Sequence, residues 1–146
     1  MKSVEHILKS KPDQALYTIE PAASVFEAAS LMALKNVGAL LVLDAECVAG
    51  IVTERDIARK MVLADRSPKQ TPVRDIMHSP VQYVHPQQTN EECMALMTQR
   101  RLRHLLVIDD GKLLGLVSIG DLVKDIISEQ EFIIHQLEHY IAGDRG

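Results

Sequence analysis

Sliding the chain along itself by 65 positions lays Pro21–Val62 over Pro86–Ile127 without a gap. The segment PAASVFEAASLMALKNVGALLVLDAECVAGIVTERDIARKMV then covers PQQTNEECMALMTQRRLRHLLVIDDGKLLGLVSIGDLVKDII. Identical pairs include Pro21/Pro86, Leu31/Leu96, Met32/Met97, Asp44/Asp109, Gly50/Gly115 and Asp56/Asp121, and the apolar class matches at most other positions. Such a duplication constrains architecture before any local pattern does, because both copies must fold alike and bury the same face. Two copies make a pseudo-symmetric pair rather than a solenoid.

Each copy predicts the same element order. A short strand (15–19; 81–84) runs into a proline. A helix then starts at Ser24 or Thr89, each with Glu three residues later, which is the capping-box spacing. Its core stripe is Ala28, Leu31, Met32 in the first copy and Cys93, Leu96, Met97 in the second, at i, i+3, i+4. Two strands follow, 39–43 and 48–52, matched by 104–108 and 113–117, with turn-like links Asp44–Cys47 and Asp109–Lys112. A last helix carries Ile57, Ala58, Met61, Val62, matched by Leu122, Val123, Ile126, Ile127. Short helical leads precede the copies at 4–8 and 73–77, and Thr71-Pro72 reads as an N-cap followed by proline at the first helical position. Residues 63–72 form a polar linker. The expected class is α+β: two β-α-β-β-α repeats packed as one module, plus a C-terminal amphipathic helix. The expected divisions are 1–65, 66–127 and a helical extension 128–146.

The net charge of −4 argues against nucleic-acid or membrane binding driven by bulk charge. Tryptophan is absent and only two Phe and three Tyr occur, so stacking platforms for single strands are scarce. Cys47 and Cys93 have no disulfide-framework or metal-ligand spacing, and Cys93 lies in an apolar stripe where a buried thiol is expected. No apolar run approaches the roughly 18 residues of a spanning helix, and the N-terminus lacks a secretory apolar region. The expected location is cytoplasmic.

The feature that carries functional information is a strand that breaks into a helix twice, as GIVTERD from Gly50 and GLVSIGD from Gly115. One reading is helix capping: Thr53 or Ser118 accepts from the orphan amides and Asp56 or Asp121 bonds back. The chain's other capping boxes use Glu27 and Glu92, whereas both junctions use the shorter Asp. Both Asp residues are also offset from the core stripe, which predicts that they face away from the packed side. The other reading is therefore a ligand site. A carboxylate at a strand end can accept from vicinal ribose hydroxyls, beside helix amides that favour phosphate.

The ungapped pair, the strands VGALLVLD and LRHLLVID and the G-h-h-[ST]-x-x-D junctions (h, apolar) together resemble a tandem cystathionine-β-synthase (CBS) domain pair. The resemblance covers essentially the whole chain. It is strongest to small stand-alone bacterial CBS-pair proteins, which share a TERD-like junction and an EQEF…LEHYI helix. It implies a non-enzymatic, energy-sensing regulatory module that binds AMP, ADP, ATP, NAD(H) or S-adenosylmethionine between the repeats and signals by a change in repeat or dimer orientation. The matching positions are Asp56 and Asp121 for ribose, with Thr53 and Ser118 beside them. Backbone at Thr18–Ile19 and Tyr83–Val84 flanks the adenine, and Arg103 and His104 face phosphates. The first copy has Gly38 and Ala39 in that place but carries Arg55 before Asp56, so the two sites are expected to be unequal. The resemblance also implies a homodimer and an unnamed regulated partner.

Two rival readings stay open. One is a structural dimerisation module with empty clefts. The other is a metal-dependent enzyme, because His135-Gln-Leu-Glu138-His139 matches H-x-x-E-H with two His at i, i+4. The stripe Gln130, Ile133, Ile134, Leu137, Tyr140, Ile141 around that motif reads as a packing helix, with Gly143 as its C-cap. No G-x-S-x-G, P-loop or G-x-G-x-x-G occurs, so neither a catalytic residue nor a required metal or cofactor is expected.

Overall fold

The computed structural model describes residues 2–11 and 16–141, the side chains of the last two excepted. In order these form α1 (Val4–Lys9), β1 (Thr18–Ile19), α2 (Val25–Lys35), β2 (Ala39–Asp44) and β3 (Cys47–Thr53). Next come α3 (Glu54–Asp56), which continues as a π-helical segment Ile57–Val62, and a 3-10 turn at Val73–Asp75. The second copy supplies β4 (Tyr83–Val84), α4 (Asn90–Arg100), β5 (His104–Asp109), β6 (Lys112–Ser118) and α5 (Ile119–Ile141).

The duplication extends to hydrogen-bond register. One sheet has the order β1-β2-β3 and the other β4-β5-β6, with the first pair of each parallel and the second antiparallel. Thr18 pairs with Leu41 as Tyr83 pairs with Leu106, and the register shift at Val42/Leu43 recurs at Val107/Ile108. Both helices of the β-α-β crossovers start where predicted, but only Thr89 closes a reciprocal box, with Glu92; at Ser24 the Oγ accepts from Glu27 N at 3.1 Å and Glu27 gives no return bond. Each ends on a left-handed residue, Asn36 (φ 56°) and Arg101 (φ 57°). Their stripes are buried at Ala28 and Met32, and at Cys93 and Met97.

The chain forms two compact units. One unit is Ala15–Gln82, and the other is Met1–Gln14 together with Tyr83–Gly146. Each lead packs on the copy that it does not precede. Val4 N donates to Gln88 O (2.8 Å) and Glu5 N to Pro86 O (3.0 Å), while Val73 N donates to Ala23 O (2.8 Å) and Arg74 N to Pro21 O (3.1 Å). Val4 and Ile7 join the core of Val84, Cys93, Met97, Leu105, Val107, Val117 and Leu122. Val73 and Ile76 join the core of Val25, Ala28, Met32, Leu40, Val42, Val52 and Met61. A three-stranded sheet with one crossover helix leaves apolar surface uncovered, and the incoming lead covers part of it.

Several expectations need correction. The first strands are shorter than predicted, and residue 15 lies outside the described residues. Thr71 does not cap the second lead: Pro72 occupies that position, and Thr71 Oγ1 donates to Ser67 O at 2.7 Å. Ala58 and Val62 are exposed rather than core, as are Val123 and Ile127. The last helix and the predicted extension are one continuous helix of 23 residues, and Gly143 lies outside the described residues.

Candidate functional site

At each junction the strand ends where the helix begins, so helix amides that lack intrahelical acceptors need local ones. Thr53 Oγ1 accepts from Asp56 N (3.1 Å), and Asp56 Oδ2 accepts from Thr53 N and from the Thr53 hydroxyl (both 3.0 Å). In the second copy Ser118 Oγ accepts from Asp121 N (3.1 Å), and Asp121 Oδ2 accepts from Ser118 N (2.8 Å). The strand-entry carbonyls complete the cap, Glu54 N donating to Gly38 O (3.0 Å) and Ile119 N to Arg103 O (2.9 Å). Asp therefore reaches back as closely as Glu does, since Thr89 N lies 3.1 Å from Glu92 Oε1. The Asp-for-Glu contrast does not separate ligand binding from capping: both Asp residues cap.

The two carboxylates then differ. Asp56 does not face away from the packed side; it is 3% exposed. Its Oδ1 meets His78 Nε2 at 2.6 Å and Lys60 Nζ at 3.5 Å. Lys60 also donates to Ile76 O (2.8 Å), and His78 exchanges backbone hydrogen bonds with Ile51 (2.8 and 3.0 Å). Both oxygens of Asp56 are thus engaged. The Asp121 side chain is 22% exposed and its Oδ2 meets Lys11 Nζ at 3.1 Å; Lys11 also donates to Leu116 O (3.0 Å). Among the described residues Asp121 Oδ1 takes no hydrogen bond. In both units a residue just after the exchanged lead, Lys11 or His78, brings a basic side chain to the junction carboxylate.

The remaining predicted residues fall around these ends. His104 opens β5 directly opposite Ser118, and the Arg103 side chain is exposed beside it, so Arg103, His104, Ser118 and Asp121 share one corner of their unit. Arg55 is exposed on α3 next to Asp56. Thr18 is exposed and Ile19 half-buried against the core of its unit. Tyr83 is exposed and meets His85 edge-on at 6.2 Å. The Val84 side chain is in the core, leaving only its backbone for any ligand. Sequence reasoning missed His78, Lys60 and Lys11. Lys60 was findable at i+4 from Asp56; His78 and Lys11 reach their carboxylates only through the exchange of leads.

The H-x-x-E-H pair lies on an exposed stretch of α5, with His135 and His139 Nε2 atoms 3.0 Å apart. Among the described residues no cluster of three or more His, Cys, Asp or Glu is arranged to hold a metal. No described helix is long and apolar enough to cross a membrane.

The model of the CBS domain family matches twice, over residues 4–63 and 73–128. The chain is 40% identical over 125 residues to CBS domain-containing protein CBSX3, mitochondrial, of Arabidopsis thaliana, covering 82% of this chain and 61% of that one. It is 35% identical over 113 residues to CBS domain-containing protein YhcV of Bacillus subtilis, covering 77% of this chain and 80% of that one. It thus spans less than two thirds of the plant relative's length. Among solved structures, a CBS-domain protein from Burkholderia ambifaria MC40-6 superposes with a TM-score of 0.85 at 56% identity, covering 88% of this chain and 96% of that one. Two copies in register, each with its own sheet and [ST]-x-x-D junction, place this chain in the CBS domain family as a tandem pair.

Proposed function

We propose that this CBS pair is a non-enzymatic, cytoplasmic regulatory module that binds an adenosine-containing ligand, with Asp121 as the carboxylate that receives the ribose hydroxyls. The observation that carries this reading is the unpartnered, partly exposed Oδ1 of Asp121 beside a helix start. Arg103 and His104 lie at the same corner, which suits a phosphate-bearing ligand such as AMP, ADP, ATP or NAD(H) and leaves S-adenosylmethionine as the cationic competitor. Asp56, with both oxygens engaged, is the poorer acceptor. Binding acts by differential affinity for two arrangements of the protein, with coupling of about 1–3 kcal/mol read by an unnamed partner. The module is homodimeric, and the exposed apolar side chains Ile133, Ile134 and Leu137 of α5 are the surface a second copy covers.

The test is thermal shift and calorimetry with AMP, ADP, ATP, NAD(H) and S-adenosylmethionine on wild type, Asp56→Asn and Asp121→Asn. Asn keeps one carbonyl oxygen for the cap but gives up the second acceptor. A ligand at about 100 times its Kd adds about 2.7 kcal/mol to wild type. Asp121→Asn abolishes that gain, whereas Asp56→Asn retains most of it. If no adenine compound stabilises wild type, the module is structural and its junctions are caps alone. Undiminished binding by Asp121→Asn removes the ribose role from that residue.

A further inference from the structure

We propose that His135 and His139 form a two-imidazole chelate for a divalent transition metal on the outer face of α5, independent of the adenosine reading. The rings stand 4.4 Å apart at 83°, with their Nε2 atoms converging to 3.0 Å. With metal–nitrogen bonds of about 2.0–2.1 Å, that separation subtends about 95° at the ion. A tetrahedral ion needs its nitrogens about 3.3–3.4 Å apart. Both bites lie within a small rotation of these exposed rings, so the choice of ion rests on the affinity order for nitrogen ligands, which favours copper and nickel over earlier divalent metals.

The surroundings suit an open surface site. Residues 130–139 are all exposed. At 100° per residue, His135 and His139 lie on the side of α5 opposite Ile133 and Leu137, so a protein covering the apolar stripe leaves the chelate accessible. The spacing 131, 135, 139 puts the Glu131 carboxylate on the same row. Water or an external donor fills the other positions, so the site needs only two protein ligands. Without metal, the 3.0 Å contact requires one Nε2 to donate and the other to accept. On chelation the metal takes the place of that shared proton; the donating ring gives up hydrogen at Nε2 and carries it at Nδ1, which leaves both Nε2 lone pairs to the ion. The chelate closes one turn in the exposed stretch of α5 and stiffens the part of the helix that carries the apolar stripe.

The test uses the full chain freed of metal with EDTA and titrated calorimetrically with Ni2+, then with Zn2+. Wild type binds one Ni2+ per chain. His135→Ala and His139→Ala each weaken that binding at least tenfold, whereas His6→Ala and His85→Ala leave it unchanged. Both target side chains are exposed, so helicity by circular dichroism stays at the wild-type level, and His139→Gln provides a polar replacement that repeats the loss. Bound Ni2+ also slows amide exchange across 131–139. Absence of saturable Ni2+ binding up to about 1 mM, the weak end of measurable affinity, overturns the site. So does binding that survives His139→Ala and His139→Gln. Tighter binding of Zn2+ than of Ni2+ overturns the preference for nickel and copper.

Discussion

Cys93 is wholly enclosed by its core, and burial, reinforced by the charge of Glu92, pushes its thiol up to about 11. The neutral thiol is the form that the fold favours. Its contribution is fully present below the unfolded thiol's pKa of about 8.5 and is lost as pH rises through the folded value. Cys47 is exposed. At pH 8 a disulfide reagent should therefore titrate one thiol per chain, with Cys47→Ser removing the signal and urea revealing the second thiol. Two thiols reacting in native buffer would show that the Cys93 enclosure opens readily. Asp56 shows what a periodicity argument misses at this scale. Counting from the helix stripe put it on an outer face, but it sits in the first turn, where the cap draws its carboxylate back to the strand end. Of the side chains that then meet its Oδ1, Lys60 comes from the next turn and His78 from outside the repeat.

At the level of elements, the glycine of each junction motif is explained by the lead that crosses it. A Cβ on Gly50 would lie 2.5 Å from the His78 carbonyl oxygen and 2.8 Å from Met77 Sδ; on Gly115 it would meet Leu8 Cδ1 at 2.8 Å. The first obstacle is backbone held by the Ile51–His78 hydrogen bonds, and the second is a side chain that can change rotamer. Gly50→Ala is therefore expected to destabilise by about 1–3 kcal/mol in urea unfolding, and Gly115→Ala by about 1 kcal/mol or less. Equal costs for the two would mean that the lead yields at both places. The last helices diverge from the same start: the first copy changes to π-helix after Asp56, and the second continues as α5. The apolar length of the second was legible in its sequence, but the point at which it leaves its own core was not.

For the molecule as a whole, the exchange makes the unit of the second copy depend on a segment that lies beyond the first copy in the sequence, whereas the unit of the first copy is one contiguous stretch. Val4 and Ile7 are 0% and 2% exposed in the unit of the second copy. Deleting residues 2–11 removes both from that core, at about 1.5–3 kcal/mol each. Hydrogen exchange is expected to show lowered protection in β5, β6 and α4, with β2 and β3 unchanged. Loss confined to β2 and β3 would contradict the observed packing. The deletion also removes Lys11 from Asp121, so the proposed ligand site loses its neighbouring cation together with part of its foundation.

The repeat, the element order, the capped helices and the core stripes at Ala28/Met32 and Cys93/Met97 were set by the sequence alone. Duplication, 3.6-residue periodicity and capping are local or in register, so they survive being read along a line. Tertiary structure decided which lead covers which repeat, and with it the burial of Asp56 by His78 and the Lys11 contact of Asp121. Those contacts join segments far apart along the chain and depend on how uncovered apolar faces find cover in three dimensions. Two junctions that read almost alike therefore became one sequestered carboxylate and one with an oxygen still able to accept.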